Sequence, residues 1–328
     1  MIAQGNVSVQ VPANALRAVV VKHGITEQEL LHHHMTNKPK TERKKDDFDW
    51  KHARVKELFA FLDRNTKWNK EFQEREYTRC LASCISDRDR LVCFLHLNVS
   101  TQSGADMDKL KPFWEALHRA TPEQTSSLKA FTTYLAQQAE EATRKRGKAL
   151  KPQPATDEWE ALFRAVNAHL GWGVKTTALF VKATIKLHRG PKALHFWPDA
   201  TPEMAPLLKS KPFLPVDRVI LRIFRELGHT CPSVDNINNG LRSEYTAEQM
   251  LTWDDLWFWG FFTQTGGGDD RILGWNSGKF WSQLSSSKDS EAELRALGDG
   301  FVQLLGSAPR QVGRLLSRED DVCMSVHH

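Results

Sequence analysis

No stretch of the chain approaches the ~20 consecutive apolar residues that a membrane-spanning helix requires, and its first residues do not set a charged segment ahead of an apolar one. These absences predict a protein with no membrane partner that is not secreted and works in the cytoplasm, associated with the nucleoid, or in a nucleus. Cysteine is scarce: five in 328 residues, an odd number without the density of a disulfide scaffold, predict free thiols in a reducing compartment. Tyrosine is scarcer, three against eleven tryptophans. Indoles serve as core filler and as stacking surfaces for bases, and core filling is the commoner role. Strand-like alternation of polar and apolar residues is almost absent, which argues against a β architecture.

What is present is a globular composition. Apolar residues make up 40% and charged residues 26%, enough for one large domain or two modest ones and incompatible with a disordered or fibrous chain. A net charge of +5 favours polyanionic partners but suits many ordinary enzymes as well.

Residues 1–47 have no sustained period, carry His32, His33 and His34, and end in a basic run from Lys38 to Lys45. They read as a partly flexible extension. Adjacent imidazoles point apart and cannot converge on one ion, so no metal is expected there. From Trp50 onward the period is helical: Val55, Leu58, Phe59 and Leu62 share one face, and similar faces follow at Leu91–Leu97 and Phe113–Leu117. Cys80, Cys84 and Cys93 fall at about helical spacings and read as buried thiols. Basic residues and prolines between Arg144 and Pro154 break the series, with Thr156 or Asp157 placed to cap the next helix. That helix ends near His169; Gly171-Trp172-Gly173 interrupts, and a further helix carries Ala178, Phe180, Val181, Ile185 and Leu187.

Two glycines separated by one residue let the backbone turn sharply and present amide N–H groups at the start of the second helix, a site suited to phosphate. Alone, the pattern is weak. A second element strengthens it: Phe213-Leu-Pro215-Val-Asp217-Arg218 opens a helix with Val219, Ile220, Ile223, Phe224 and Leu227 on its apolar face. A glycine hairpin with Lys175 and Thr176 at its exit, followed by Pro-Val-Asp at a helix start, resembles the helix-hairpin-helix (HhH-GPD) superfamily of DNA glycosylases. Its pattern is nearest the archaeal 8-oxoguanine glycosylase/AP lyase branch. Leu95 to Ser103 resembles the family's Leu-Ser-x-Gln stretch, with Gln102 as the residue that fills the gap left by an extruded base.

The resemblance implies an all-α, monomeric protein of two helical subdomains with the active-site cleft between them. The expected glycosylase domain spans 48–310, with one subdomain of about 48–100 plus 214–310, the other of about 101–213, and a tail at 311–328. It implies that Gly171, Gly173, Thr176, Gln102 and Arg218 contact DNA, and that Lys175 and Asp217 are catalytic. Trp172, Trp197 and Trp257 are candidates to hold the base. The implied partner is double-stranded DNA containing a modified base: an oxidised purine such as 8-oxoguanine, or a hypermodified base such as glucosylated hydroxymethylcytosine in phage DNA. Departing from the family, Leu170 replaces the usual hairpin proline, Trp172 a small residue, and residues 188–211 read as an insertion. Only Cys231 and Cys323 lie in the C-terminal half, too few for the iron–sulfur cluster of some relatives, so no cofactor is expected. The alternative is a non-catalytic helix-hairpin-helix DNA-binding protein, which has no use for both Lys175 and Asp217. A metal-dependent nuclease would need clustered carboxylates, for which Asp269 and Asp270 offer only a glycine-rich turn.

Overall fold

The computed structural model describes residues 48–100, 107–145, 154–201, 208–267, 271–284 and 288–306. The expected extension with its histidine triplet, Gln102, the Asp269–Asp270 turn and the tail from 311 lie outside these residues. Among the described residues the structure is mostly helical, as the pattern of faces predicts. The exception is a two-stranded antiparallel hairpin, β1 (Gln264–Thr265) with β2 (Ile272–Leu273). Among them no helix is long and apolar enough to cross a membrane.

Two apolar cores organise the helices. The first gathers α3 (Asp87–Ser100), α4 (Met107–Arg119), α6 (Leu128–Lys145), α7 (Glu158–Asn167) and α8 (Val174–His188) around Phe94, Phe113, Phe131, Leu162 and Phe180, with the short α5 (Pro122–Thr125) against α6. The second joins α1 (Ala53–Arg64) to α9 (Arg218–Glu226), α10 (Val234–Glu244), α11 (Ala247–Thr252), α12 (Asp255–Phe262), α13 (Ser277–Gln283) and α14 (Lys288–Leu304). Between them, α2 (Thr66–Leu81) serves both: Trp68 and Phe72 pack on the second core, Tyr77 and Cys80 on the first.

The division corrects one expectation. The sequence places residues up to about 100 with the C-terminal subdomain, whereas α3 buries Leu91, Phe94 and Leu95 in the first core, with the Phe94 ring 6.2 Å from Phe180. Periodicity shows that a face of α3 is buried but not which helix covers it.

Local chemistry explains where the site-bearing helices start. Asp157 caps α7, accepting from the Glu160 amide at 2.8 Å. The same carboxylate accepts from the Lys209 and Ser210 amides at 2.8 and 2.6 Å, binding the end of the insertion to the head of α7. Within the insertion, Asp199 accepts from the first amides of α6, Leu128 and Lys129, at 2.8 and 3.2 Å. Gly260 of α12 lets that helix approach α9 closely, since a Cβ there would stand 2.5 Å from Val219. That contact positions α9, whose N-cap is Asp217.

Candidate active site

The hairpin between α7 and α8 has the expected form. Gly171 adopts φ +85°, a left-handed conformation that glycine enters without strain, and a Cβ there would meet Leu110 at 2.7 Å. Trp172 donates its amide to the His169 carbonyl at 3.2 Å, closing the turn. Gly173 is the N-cap of α8 and offers no side chain to its first amides. The positive end of the helix is therefore exposed beside two exposed glycines, a backbone anion site. Lys175 and Thr176 follow in the first turn, both half-buried. Among the described residues the Lys175 ammonium makes no ion pair.

Asp217 caps α9, its carboxylate accepting from the Ile220 amide at 3.1 Å, and is half-buried; Arg218 beside it is exposed. The segment leading to Asp217 is tied to α10. Asn238 of α10, buried, accepts from the Leu214 amide at 2.7 Å and donates to its carbonyl at 3.1 Å, so one amide side chain clamps the backbone three residues upstream. No hydrogen bond or ion pair joins Lys175 to Asp217 among the described residues.

A cavity of about 880 Å³ lies between α6, α7, α8 and the segment Leu208–Phe213. Neither Lys175 nor Asp217 lines it, but both of its relevant walls lead to them. Ala178, Lys182 and Ile185 line it from α8, and Lys175 heads the same stripe at i, i+3, i+7 and i+10. Phe213 lines it four residues before Asp217. The lining aromatics are Trp159, Phe163 and Phe213, the last two stacked at 4.7 Å, with the Arg242 guanidinium 4.0 Å over the Phe213 ring.

The tryptophans proposed from sequence have other work. Trp197 is fully buried in the first core, donates its indole N–H to the Thr125 carbonyl at 3.1 Å and packs on Phe131. It offers no face to a base and is corrected to a core residue that anchors the insertion. Trp172 is also corrected: it is buried under the hairpin against Phe113 and Phe180. Trp257 is half-buried, stacks on Phe261 at 4.9 Å in the second core, and does not line the cavity. The insertion lends Leu208, Ser210 and Lys211 to the cavity wall.

Sequence reasoning missed Trp159, Asn238 and a buried charge cluster where α8 meets the second core. Lys182 is 1% exposed, and its ammonium pairs with Asp254. Lys186 lies 3.1 Å from Asp254 and 2.9 Å from Asp255, and Asn69 of α2 donates to Asp255 at 2.6 Å. Burial pushes the Lys182 ammonium down to about 8, despite the opposing pull of Asp254. Burial would raise the Asp254 carboxyl, but Lys182 and Lys186 more than offset it and hold it below the usual carboxylate range. Asp255 stays raised by burial, against Lys186 and Asn69. The available signal was two lysines four apart among Phe180, Val181 and Ile185, and paired aspartates between Trp253 and Leu256.

Comparison of the chain with models of protein families, with curated proteins and with solved structures finds no match.

Proposed function

We propose that this protein is a DNA glycosylase with AP-lyase activity, which flips a modified base out of a duplex and excises it. The observation that carries the reading is convergence on one cavity. The α8 stripe headed by Lys175 forms one wall, and the segment that runs into Asp217 forms another. In this reading the sugar of the extruded nucleotide is the target of Lys175 and Asp217, and the uncapped α8 amides beside Gly171 and Gly173 suit its phosphate.

In the proposed reaction the bond between C1′ and the base breaks with its electron pair on the base, which takes up a proton. Asp217, as carboxylate, stabilises the positive charge that develops on the sugar. The neutral Lys175 amine bonds to C1′ and sheds one proton. Cleavage of C1′–O4′, with a proton to O4′, gives the protonated imine; loss of a C2′ proton then expels the 3′ phosphate by β-elimination.

The test is base release, read by hot alkali, and imine capture, read by borohydride, with EDTA present. Duplexes carry 8-oxoguanine, uracil, alkylated purines, hydroxymethylcytosine, glucosylated hydroxymethylcytosine or an abasic site. The expected result is a trapped adduct that disappears in Lys175→Gln, and excision that fails in Asp217→Asn while DNA is still bound. Binding without excision or adduct on every duplex would instead assign a non-catalytic helix-hairpin-helix module.

A further inference from the structure

Asp217 stands between an extended segment and the first turn of α9, and a buried side-chain amide holds each. Upstream, Asn238 of α10 bonds both the amide and the carbonyl of Leu214, and the Val216 amide donates to that same carbonyl at 2.9 Å. Downstream, Gln264 of β1 donates its Nε2 to the Val219 carbonyl at 3.1 Å. Gln264 is anchored in turn, because its own carbonyl accepts from Lys279 Nζ at 2.8 Å and from Asn276 Nδ2 at 3.2 Å.

Stability alone does not account for the Gln264 amide. Gln264 is fully buried, and among the described residues its Oε1 has no hydrogen-bond partner. A buried polar atom left unpaired weakens a fold. The Val219 carbonyl belongs to the first turn of α9, where the Ile223 amide is its ladder partner, so the bond from Gln264 is an additional one. A buried glutamine with half its amide idle, bonded to a carbonyl that the helix already satisfies, adds little to the core. What it holds is the first turn of α9. The Asp217 carboxylate hangs on that turn: one oxygen accepts from the Ile220 amide, and among the described residues the other makes no hydrogen bond. This second oxygen is the one left to act on a substrate.

Resting on the base-excision reading, we propose that Gln264 is a positioning residue for Asp217, with Asn238 as its counterpart on the other side. The two amides bracket Asp217 through Val219, two residues after it, and Leu214, three residues before it, and so set the direction of the unbonded carboxylate oxygen toward the charge that develops on the sugar. Neither amide touches the reacting atoms. A misplacement of ~1 Å costs about 10²-fold in rate, so their effect falls on the chemical step and not on DNA binding.

The full chain is assayed for base release on duplexes carrying 8-oxoguanine, uracil, alkylated purines, hydroxymethylcytosine or glucosylated hydroxymethylcytosine. Borohydride trapping on an abasic duplex reads the Lys175 chemistry, which needs no departing base and hence no Asp217. Gln264→Met keeps the length of the side chain and removes the amide. It is expected to lower kcat at least tenfold on whichever duplex the native protein excises, with KM and abasic-site trapping within twofold of native. Gln264→Glu is the conservative variant: burial keeps its carboxyl protonated near pH 7, still able to donate to the Val219 carbonyl, and kcat should stay within threefold of native. As pH rises and that carboxyl ionises, release by Gln264→Glu should decline while trapping does not, which keeps the test alive if Gln264→Met fails to fold. Release by Gln264→Met at the native rate, trapping lost in proportion to release, or a Gln264→Glu profile that matches the native one would each overturn the positioning role and leave base excision standing. No release from any duplex by the native protein would overturn the base-excision reading, and the positioning role with it.

Discussion

Replacing Asp254 by asparagine strips the buried cluster of one carboxylate and leaves Lys182 and Lys186 facing Asp255 alone. Breaking a buried ion pair costs ~3–5 kcal/mol, because the partner charge stays in the interior. Here the cost has a limit. The Lys182 ammonium, already pushed down to about 8 by burial, can lose its proton at ~1.4 kcal/mol per pH unit once Asp254 is gone. The expected loss at pH 7 is about 3 kcal/mol. Lys182→Met alone leaves two carboxylates on Lys186 and is expected to cost a similar amount. The double variant leaves Lys186 with Asp255 and Asn69, a neutral and hydrogen-bonded remainder, and is expected to fall within ~2 kcal/mol of the native protein. Urea unfolding followed by tryptophan fluorescence measures all four corners of the cycle. Losses that simply add, or an Asp254→Asn loss under ~1 kcal/mol, would refute the reasoning. A pH signature accompanies the cycle. The folded Lys182 loses its proton near 8 and the unfolded one near ~10.4, so in between the unfolded chain binds the extra proton and folding gains as pH rises. The stability difference between native and Lys182→Met proteins should therefore grow in favour of the native protein from pH 8 to 10.

His188 is fully buried, among the described residues both its ring nitrogens are unbonded, and burial, aided by His195, lowers its pKa to about 3. Its contribution to stability is complete above the unfolded value of ~6.5 and is lost as pH falls toward 3; His188→Phe is expected to flatten the decline of Tm between pH 6.5 and 4, and an unchanged decline would refute this. Trp197→Ala should cost ~3–5 kcal/mol in urea unfolding, as removal of a fully buried indole does. A base-stacking Trp197 would instead leave stability intact and weaken only substrate binding. Gly171→Ala forces a left-handed conformation of about +85° and a clash with Leu110. It should lower stability by ~1–2 kcal/mol and weaken duplex binding in a gel-shift titration, whereas a loss confined to stability would deny the hairpin a role at the phosphate.

The sequence made the helices legible because their apolar faces recur at 3.6 residues, and it marked the starts of α8 and α9 because glycine and aspartate have specific work at helix ends. Partners across space were not legible. Nothing in Leu91, Phe94 and Leu95 says that α8 covers them, and nothing in Trp197 distinguishes an anchor in the core from a surface for a base. The Lys182–Asp254 pair joins residues 72 positions apart, so the two lysines and the two aspartates stood as separate pairs in apolar stretches with nothing to connect them. Asn238 was equally silent, because a clamp on the Leu214 backbone is visible only once α10 lies beside it.

The triple engagement of Asp157 ties one wall of the cavity to the head of α7. One carboxylate holds the head of α7, the Lys209 amide and the Ser210 amide and hydroxyl, so the wall formed by residues 208–213 cannot swing aside without releasing its bonds to that helix. Hydrogen bonds to a charged group contribute ~1.5–3 kcal/mol each. Breaking them together makes the open form a rare, short-lived state. The head of α7 and the wall at 208–213 therefore keep their mutual geometry as one unit, and the shape of the cavity on that side is set by a single carboxylate.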